Sequence, residues 1–349
     1  MSGFFSGAWL TDIDDTLIES GVMPDDRWMA WLSEKIQILN NHGIVWVPMS
    51  GVALVKLGPR ILYRLPERLR LGVLYYGGDG SELYYYAESE KKWMSDNDFK
   101  RIFTDAQALA VIGRESLIHA IAEIEHVPKD CGYVQGRIRV AESELIRNHL
   151  DADFCILDML KERLVMHGYN PEDSETYFRG GSVSWMMLGD ISAEPYKSEK
   201  AIQVRKELFA VAEQILSEND LLLPLGNTAI SIPFHGARGI KFVLMGNDKE
   251  RGTRDLIKRK KIPADSILFS GNELFDGGND NMIRKIEGVT MLSVGDKTDP
   301  GSNVVYGGHG TDANRKWMDF VTIKLEQGAS WRSIIADMKT MEDSHGGSI

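Results

Sequence analysis

The chain has 349 residues, long enough for two domains, and its 43% apolar and 26% charged content suits a soluble globular protein. A net charge of −11 argues against a broad basic surface for nucleic acid or anionic lipid. There is no apolar run of about eighteen residues to span a membrane, and two cysteines, Cys131 and Cys155, make no disulfide framework. The opening Met1–Ser6 lacks the charged and long apolar parts of a secretory leader, so the expected compartment is the cytoplasm.

Residues 7–17, Gly-Ala-Trp-Leu-Thr-Asp-Ile-Asp-Asp-Thr-Leu, organise the rest. Ala8-Trp9-Leu10 predicts a buried strand, after which Asp12, Asp14, Asp15 and Thr16 arrive abruptly. Open α/β sheets bind ligands beyond the carboxyl ends of their strands. Carboxylates crowded there repel one another unless a cation or a phosphate-handling role holds them; a solvated acidic turn is the plainer alternative. A helix is predicted from near Asp25-Asp26, with Trp28, Leu32, Ile36 and Leu39 at helical spacing and a stop at Asn41-His42-Gly43. The apolar run Ile44–Met49 follows and ends at Ser50-Gly51, which completes a βαβ unit and implies parallel neighbours.

Residues 71–86 predict a core strand, a glycine turn and a strand leading into an insertion. Within the insertion, 104–125 and 198–217 have helical periodicity, 132–140 and 176–188 alternate like strands, and 167–175 is a loop. Ser266–Phe269 predicts another strand, followed by Ser270-Gly271-Asn272-Glu273-Leu274-Phe275-Asp276-Gly277-Gly278-Asn279-Asp280. These oxygen donors suit a hard divalent ion such as Mg²⁺. A strand over 289–294 and a glycine loop at 307–314 precede a last helix; the loop lacks a Walker Lys-Ser/Thr and is taken as a connection. His309 within it has no partner at ligand spacing.

Asp12-x-Asp14-x-Thr16 after an apolar strand resembles the first motif of the haloacid dehalogenase superfamily of phosphohydrolases and phosphomutases. The resemblance implies that Asp12 is the nucleophile and Asp14 the general acid/base, with Thr16 close to the substrate. Ser50, one βα unit later, fits the second motif, and Gly51 lets the backbone approach a phosphoryl group. Phe178-Arg179-Gly180-Gly181 resembles a cap segment of eukaryotic-type phosphomannomutases, which implies that Arg179 binds substrate. Where that family has a second arginine eleven residues on, this chain has Asp190, which would repel a second phosphate; Arg137 and Arg139 are left as substitutes.

Ala229–Lys241 is similar to the segment in which those mutases return to the core, and it implies Lys241 as the third-motif lysine. Lys197 and Lys200 are rivals, because other branches place this lysine just before a helix. Gly271-Asn272 followed by Gly277-Gly278-Asn279-Asp280 matches the mutases' fourth motif. It implies a Mg²⁺ shell from Asp12, the Asp14 backbone carbonyl, Asn272 and Asp280, with Asp276 a turn residue.

The architecture expected is α/β: a doubly wound parallel core over 1–85 and 235–349, with an inserted α+β cap over 86–234. The activity implied is Mg²⁺-dependent hydrolysis of a small phosphorylated metabolite through an aspartyl-phosphate. A sugar phosphate comes first, with nucleotide and polyol phosphates behind it. A sugar phosphomutase and a non-catalytic phosphate-ligand binding protein are the alternatives. The caps of the resembled mutases dimerise, which allows a homodimer here.

Overall fold

The computed structural model describes residues 5–178, 181–187, 199–218, 230–232, 239–275, 278–295 and 303–345, with backbone alone for 199–202 and 341–345. Arg179, Asp190, Lys197, Asp276 and the Lys200 side chain lie outside the described residues. The described strands are β1 (Gly7–Asp12), β2 (Ile44–Met49), β3 (Leu74–Gly77), β4 (Glu82–Ala87), β5 (Lys92–Ser95) and β6 (Glu175–Phe178). They continue as β7 (Ser182–Met186), β8 (Ile230–Ser231), β9 (Ile240–Leu244), β10 (Ile267–Gly271), β11 (Thr290–Ser293) and β12 (Val304–Tyr306). The helices are α1 (Asp26–Asn41), α2 (Leu54–Arg60), α3 (Glu67–Arg70), α4 (Asp105–Glu125) and α5 (Gly132–Arg147). After them come α6 (Ile156–Met166), α7 (Glu199–Glu218), α8 (Lys249–Lys260), α9 (Gly310–Glu326) and α10 (Trp331–His345).

The chain divides into two compact units, residues 1–100 with 248–349 and residues 101–247. The first holds an eight-stranded sheet in the order β12-β11-β10-β1-β2-β3-β4-β5, parallel from β12 to β3 and antiparallel over β4 and β5. All six residues of β1 are buried, and they alternate between two cores. Trp9 joins Leu32, Ile36 and Trp317 on one face, while Ala8 and Leu10 join Val45, Val47 and Leu256 on the other. Burial on both faces explains why its Ala8-Trp9-Leu10 stretch is continuously apolar. Two indoles are anchored across the sheet: Trp9 donates to Ser270 Oγ at 3.2 Å and Trp46 to Thr11 Oγ1 at 3.2 Å. Each buried N–H left unpaired would cost about 1–3 kcal/mol.

Helix α1 starts where expected, with the Asp25 carboxylate accepting from Trp28 N at 2.7 Å, and buries Met29, Leu32, Ile36 and Leu39. Helix α9 begins at Gly310, earlier than the periodicity suggests. The inserted segment starts later than residue 86, because β4 and β5 stay in the first sheet. There Tyr84 stacks on Tyr75 at 5.8 Å and Trp93 meets Tyr86 edge-on at 5.9 Å.

The second unit carries the antiparallel sheet β6-β7-β9-β8 and the helices α4 to α7. It reaches residue 247, not 234, because β8 and β9 pair there and β9 continues onto β7. Residues 132–140 are helical and not strand-like: Val134, Ile138, Ala141 and Leu145 of α5 form the buried stripe. Helix α4 opens with a capping box between Thr104 and Gln107. Among the described residues no helix is long and apolar enough to cross a membrane.

Candidate active site

Strand register brings the first, second and fourth motifs to one edge of the parallel sheet. Asp12, the last residue of β1, is level with Met49 of β2, so Ser50 follows immediately beside it. On the other side Thr11 pairs with Ser270 of β10, so Asn272 lies just beyond the same edge. This is the carboxyl end of the strands, where the backbone turns away and side chains can meet a ligand.

The turn after β1 is tight. Leu17 N and Ile18 N both donate to the Ile13 carbonyl, and Asp15 sits at φ 60°, with its carboxylate accepting from Ser20 N at 2.8 Å. Thr16 is fully buried, and its hydroxyl donates to Asn272 Oδ1 at 3.0 Å. This bond aligns Asn272.

The centre of the site is an ammonium between carboxylates. Lys249 Nζ reaches Asp12 Oδ1 at 2.5 Å, Asp280 Oδ1 at shorter range, and Asn279 Oδ1 at 3.3 Å. Lys249 is 1% exposed and Asp280 0%, so little water screens the charges. Asp280 is fixed from its other side by Glu273 N, which donates to Oδ2 at 2.9 Å. It also packs against Gly271, where a Cβ would collide with the carboxylate and with the Phe269 ring. Lys249 is the first residue of α8, whose N-cap Asp248 accepts from Arg251 N at 2.8 Å. Gly80, at φ 80°, lets the loop after β3 lie against the Asp248 backbone, a position no other side chain would fit.

Lys241, the expected third-motif lysine, is a residue of a different unit from this cluster. It lies within β9 of the second unit, opposite Ser184 of β7. The ammonium is supplied eight residues later by the helix start, as Lys249 against Lys241 shows. The placement just before a helix, considered for Lys197 and Lys200, was the signal that would have found Asn247-Asp248-Lys249.

Ser50 is 2% exposed; its N–H donates to the Tyr76 carbonyl at 3.0 Å and its Oγ accepts from Val52 N at 3.2 Å. Gly51, half-buried, follows it. The Asp14 carboxylate is held by Arg60, Nη1 to Oδ1 at 2.8 Å, a partner that no sequence pattern pointed to. In the second unit Arg137 is tied to Asp105, with Nε to Oδ2 at 2.7 Å, and to Glu125, while Arg139 is exposed.

Electrostatics follow from the charge count. Asp12 and Asp280 face one ammonium, so with both carboxyls ionised the triad would carry one excess negative charge. Burial pushes the Asp12 carboxyl up to about 8, with Asp280 and Asp14 adding to the rise and Lys249 opposing it. Burial also works against the Lys249 ammonium, but Asp12 and Asp280 outweigh it and raise its proton affinity above the ordinary lysine value. A divalent cation fits this donor set by its chemistry: hard oxygens, surplus negative charge and two carboxylates, the number Mg²⁺ usually takes beside water. Among the described residues no group of three or more His, Cys, Asp or Glu side chains forms a self-sufficient metal cage.

No protein-family model matches the sequence, and no curated protein matches it. Solved structures do. An IMP-bound mutant of Plasmodium falciparum IMP-nucleotidase superposes with a TM-score of 0.53 at 11% identity, over 96% of this chain and 67% of that one. An N-terminally truncated, IMP-bound form of the same nucleotidase gives 0.50 at 13% identity, over 82% of this chain and 64% of that one. The chain shares the α/β fold of that nucleotidase, with a largely parallel central sheet flanked by helices. It spans a little under two thirds of the length of that truncated nucleotidase. At such identities the likeness concerns the fold, and the side chains of this chain must carry the chemistry.

Proposed function

We propose that this protein is a Mg²⁺-dependent phosphomonoester hydrolase of the haloacid dehalogenase type, working through an aspartyl-phosphate on Asp12. The observation that carries the reading is the buried Asp12–Lys249–Asp280 triad at the carboxyl edge of the parallel sheet, with Ser50 and Asp14 beside it. The phosphomannomutase-like pattern over 271–280 supports it, since it delivers Asn272, Asn279 and Asp280 to the same place.

Asp12, Asp280, Asn272 and the Asp14 backbone would hold the ion, whose charge would keep Asp12 ionised at neutral pH and offset the phosphoryl oxygens. Lys249 fixes Asp12 through Oδ1, leaving Oδ2 to attack phosphorus in line. The bond from phosphorus to the ester oxygen breaks as the new bond to Asp12 forms. Asp14 gives its proton to the departing alkoxide and then takes one from the water that hydrolyses the aspartyl-phosphate. Lys249 and the Ser50 hydroxyl neutralise and orient the phosphoryl oxygens.

The substrate class is a small phosphorylated metabolite, with sugar phosphates first and nucleotide and polyol phosphates next. Phosphate release should be measured over such a panel, IMP included, with Mg²⁺ and with EDTA. Release that needs Mg²⁺ and disappears in Asp12→Asn supports the proposal. Absence of release from every ester, or release that survives Asp12→Asn, overturns it.

A further inference from the structure

We infer that Arg60 is a positioning residue for Asp14, holding one carboxylate oxygen so that the other faces the reaction. The inference rests on the proposed reading of Asp14 as acid/base. Its basis is a three-way grip. Arg60 Nη1 donates to Asp14 Oδ1 at 2.8 Å, Nε to the Val22 carbonyl at 3.2 Å, and Nη2 to the Glu19 carbonyl at 3.3 Å. A planar guanidinium can meet three acceptors in one fixed geometry, whereas an ammonium is a point charge on a flexible stem. The side chains are 13% exposed for Arg60 and 26% for Asp14, so the pair is shielded more than a surface ion pair.

The grip joins two parts of the site. Arg60 ends α2, the helix that begins four residues after Ser50, and it closes onto the segment that follows Asp12 and Asp14. Fixing the loop alone would need only the Glu19 and Val22 carbonyls. The additional bond goes to Oδ1 of Asp14, and Oδ2 makes no hydrogen bond among the described residues. That oxygen is the one placed to carry the transferred proton.

The test compares an alkyl phosphomonoester, whose leaving oxygen needs a proton, with p-nitrophenyl phosphate, whose leaving group departs as an anion. Arg60→Met should lower kcat on the alkyl ester roughly 10- to 100-fold, with a loss on the aryl ester roughly tenfold smaller and KM little changed. Methylguanidine should restore part of the lost turnover. Arg60→Lys, which keeps the charge without the fork, should fall between wild type and Arg60→Met; it also serves if Arg60→Met does not fold. Equal losses on the two esters, a change confined to KM, or an Arg60→Lys enzyme equal to wild type would overturn the role. Those results leave the phosphatase reading standing if wild type remains active. A wild type inactive on both esters would overturn that reading and the Arg60 role together.

Discussion

At the carboxyl edge of the eight-stranded sheet, buried charged groups are matched to one another. Lys249 lies between Asp12 and Asp280, Arg60 holds Asp14, and Thr16 meets Asn272. In the four-stranded sheet the buried polar groups of β7 are neutral: Ser182, Ser184 and Trp185 are buried, and Ser182 Oγ, Ser184 Oγ and Trp185 Nε1 have no hydrogen-bond partner among the described residues. The two lysines differ in burial, Lys241 being half-buried and Lys249 1% exposed. Lys241 is a mid-strand residue opposite Ser184, whereas Lys249 is enclosed by acids. Unsatisfied buried charge is far more costly than an unsatisfied hydroxyl, so the charges of the first unit must be compensated in place. Ionising Asp12 beside Asp280 leaves a negative surplus, which a divalent cation would relieve.

The largest expected effect is on Asp12. Asp12→Asn should reduce phosphate release on the order of 10³-fold or more, because it removes the group that bonds to phosphorus. Next, the two lysines should separate. Lys249→Met should cost roughly 10²- to 10³-fold in kcat, and Lys241→Met much less; equal losses in a steady-state assay would erase the contrast. Lys249→Met also leaves two buried carboxylates unpaired, at a cost of about 3–5 kcal/mol. Adding Asp280→Asn should recover part of that stability in urea unfolding, without recovering turnover.

A smaller effect links pH to the metal. An acid whose affinity for protons is raised by folding stabilises the native state most below its unfolded value, and this contribution is lost as pH rises through the folded value. For Asp12 that window runs from its ordinary value to about 8, and Glu82 and Asp248, also raised by burial, act in the same direction. In EDTA the melting temperature should therefore fall from mildly acidic to mildly alkaline pH. Mg²⁺ should raise it more at the alkaline end, and Asp12→Asn should flatten that difference. A Mg²⁺ shift independent of pH would contradict this. The smallest effect is Gly271→Ala, which crowds Asp280 and should cost about 1–3 kcal/mol of stability, checked by thermal melting.

The core and three of its motifs were legible because β1 and β2 are buried on both faces and carry unbroken apolar runs. Parallel pairing then fixes Ser50 beside Asp12 without further information. The α5 segment was misread because Val134, Ile138 and Val140 alternate like a strand. Val140 is 63% exposed, and the buried stripe follows helical spacing instead. Lys249 was missed because the glycine-rich approach to Lys241 imitates the expected return, while the actual return waits for β9 to finish pairing. Arg60 had no signal at all, since it acts through tertiary contacts at the end of a short helix containing Pro59. The Arg179 proposal falls outside the described residues.

The most direct test of the central claim is to trap the intermediate. The enzyme should be mixed with a turned-over phosphomonoester and Mg²⁺, quenched in acid, and its peptides mapped by mass spectrometry. The account predicts a phosphoryl group on Asp12, in the peptide spanning residues 7–17, absent from Asp12→Asn. A phosphoryl group on another residue, or full turnover by Asp12→Asn, would contradict it.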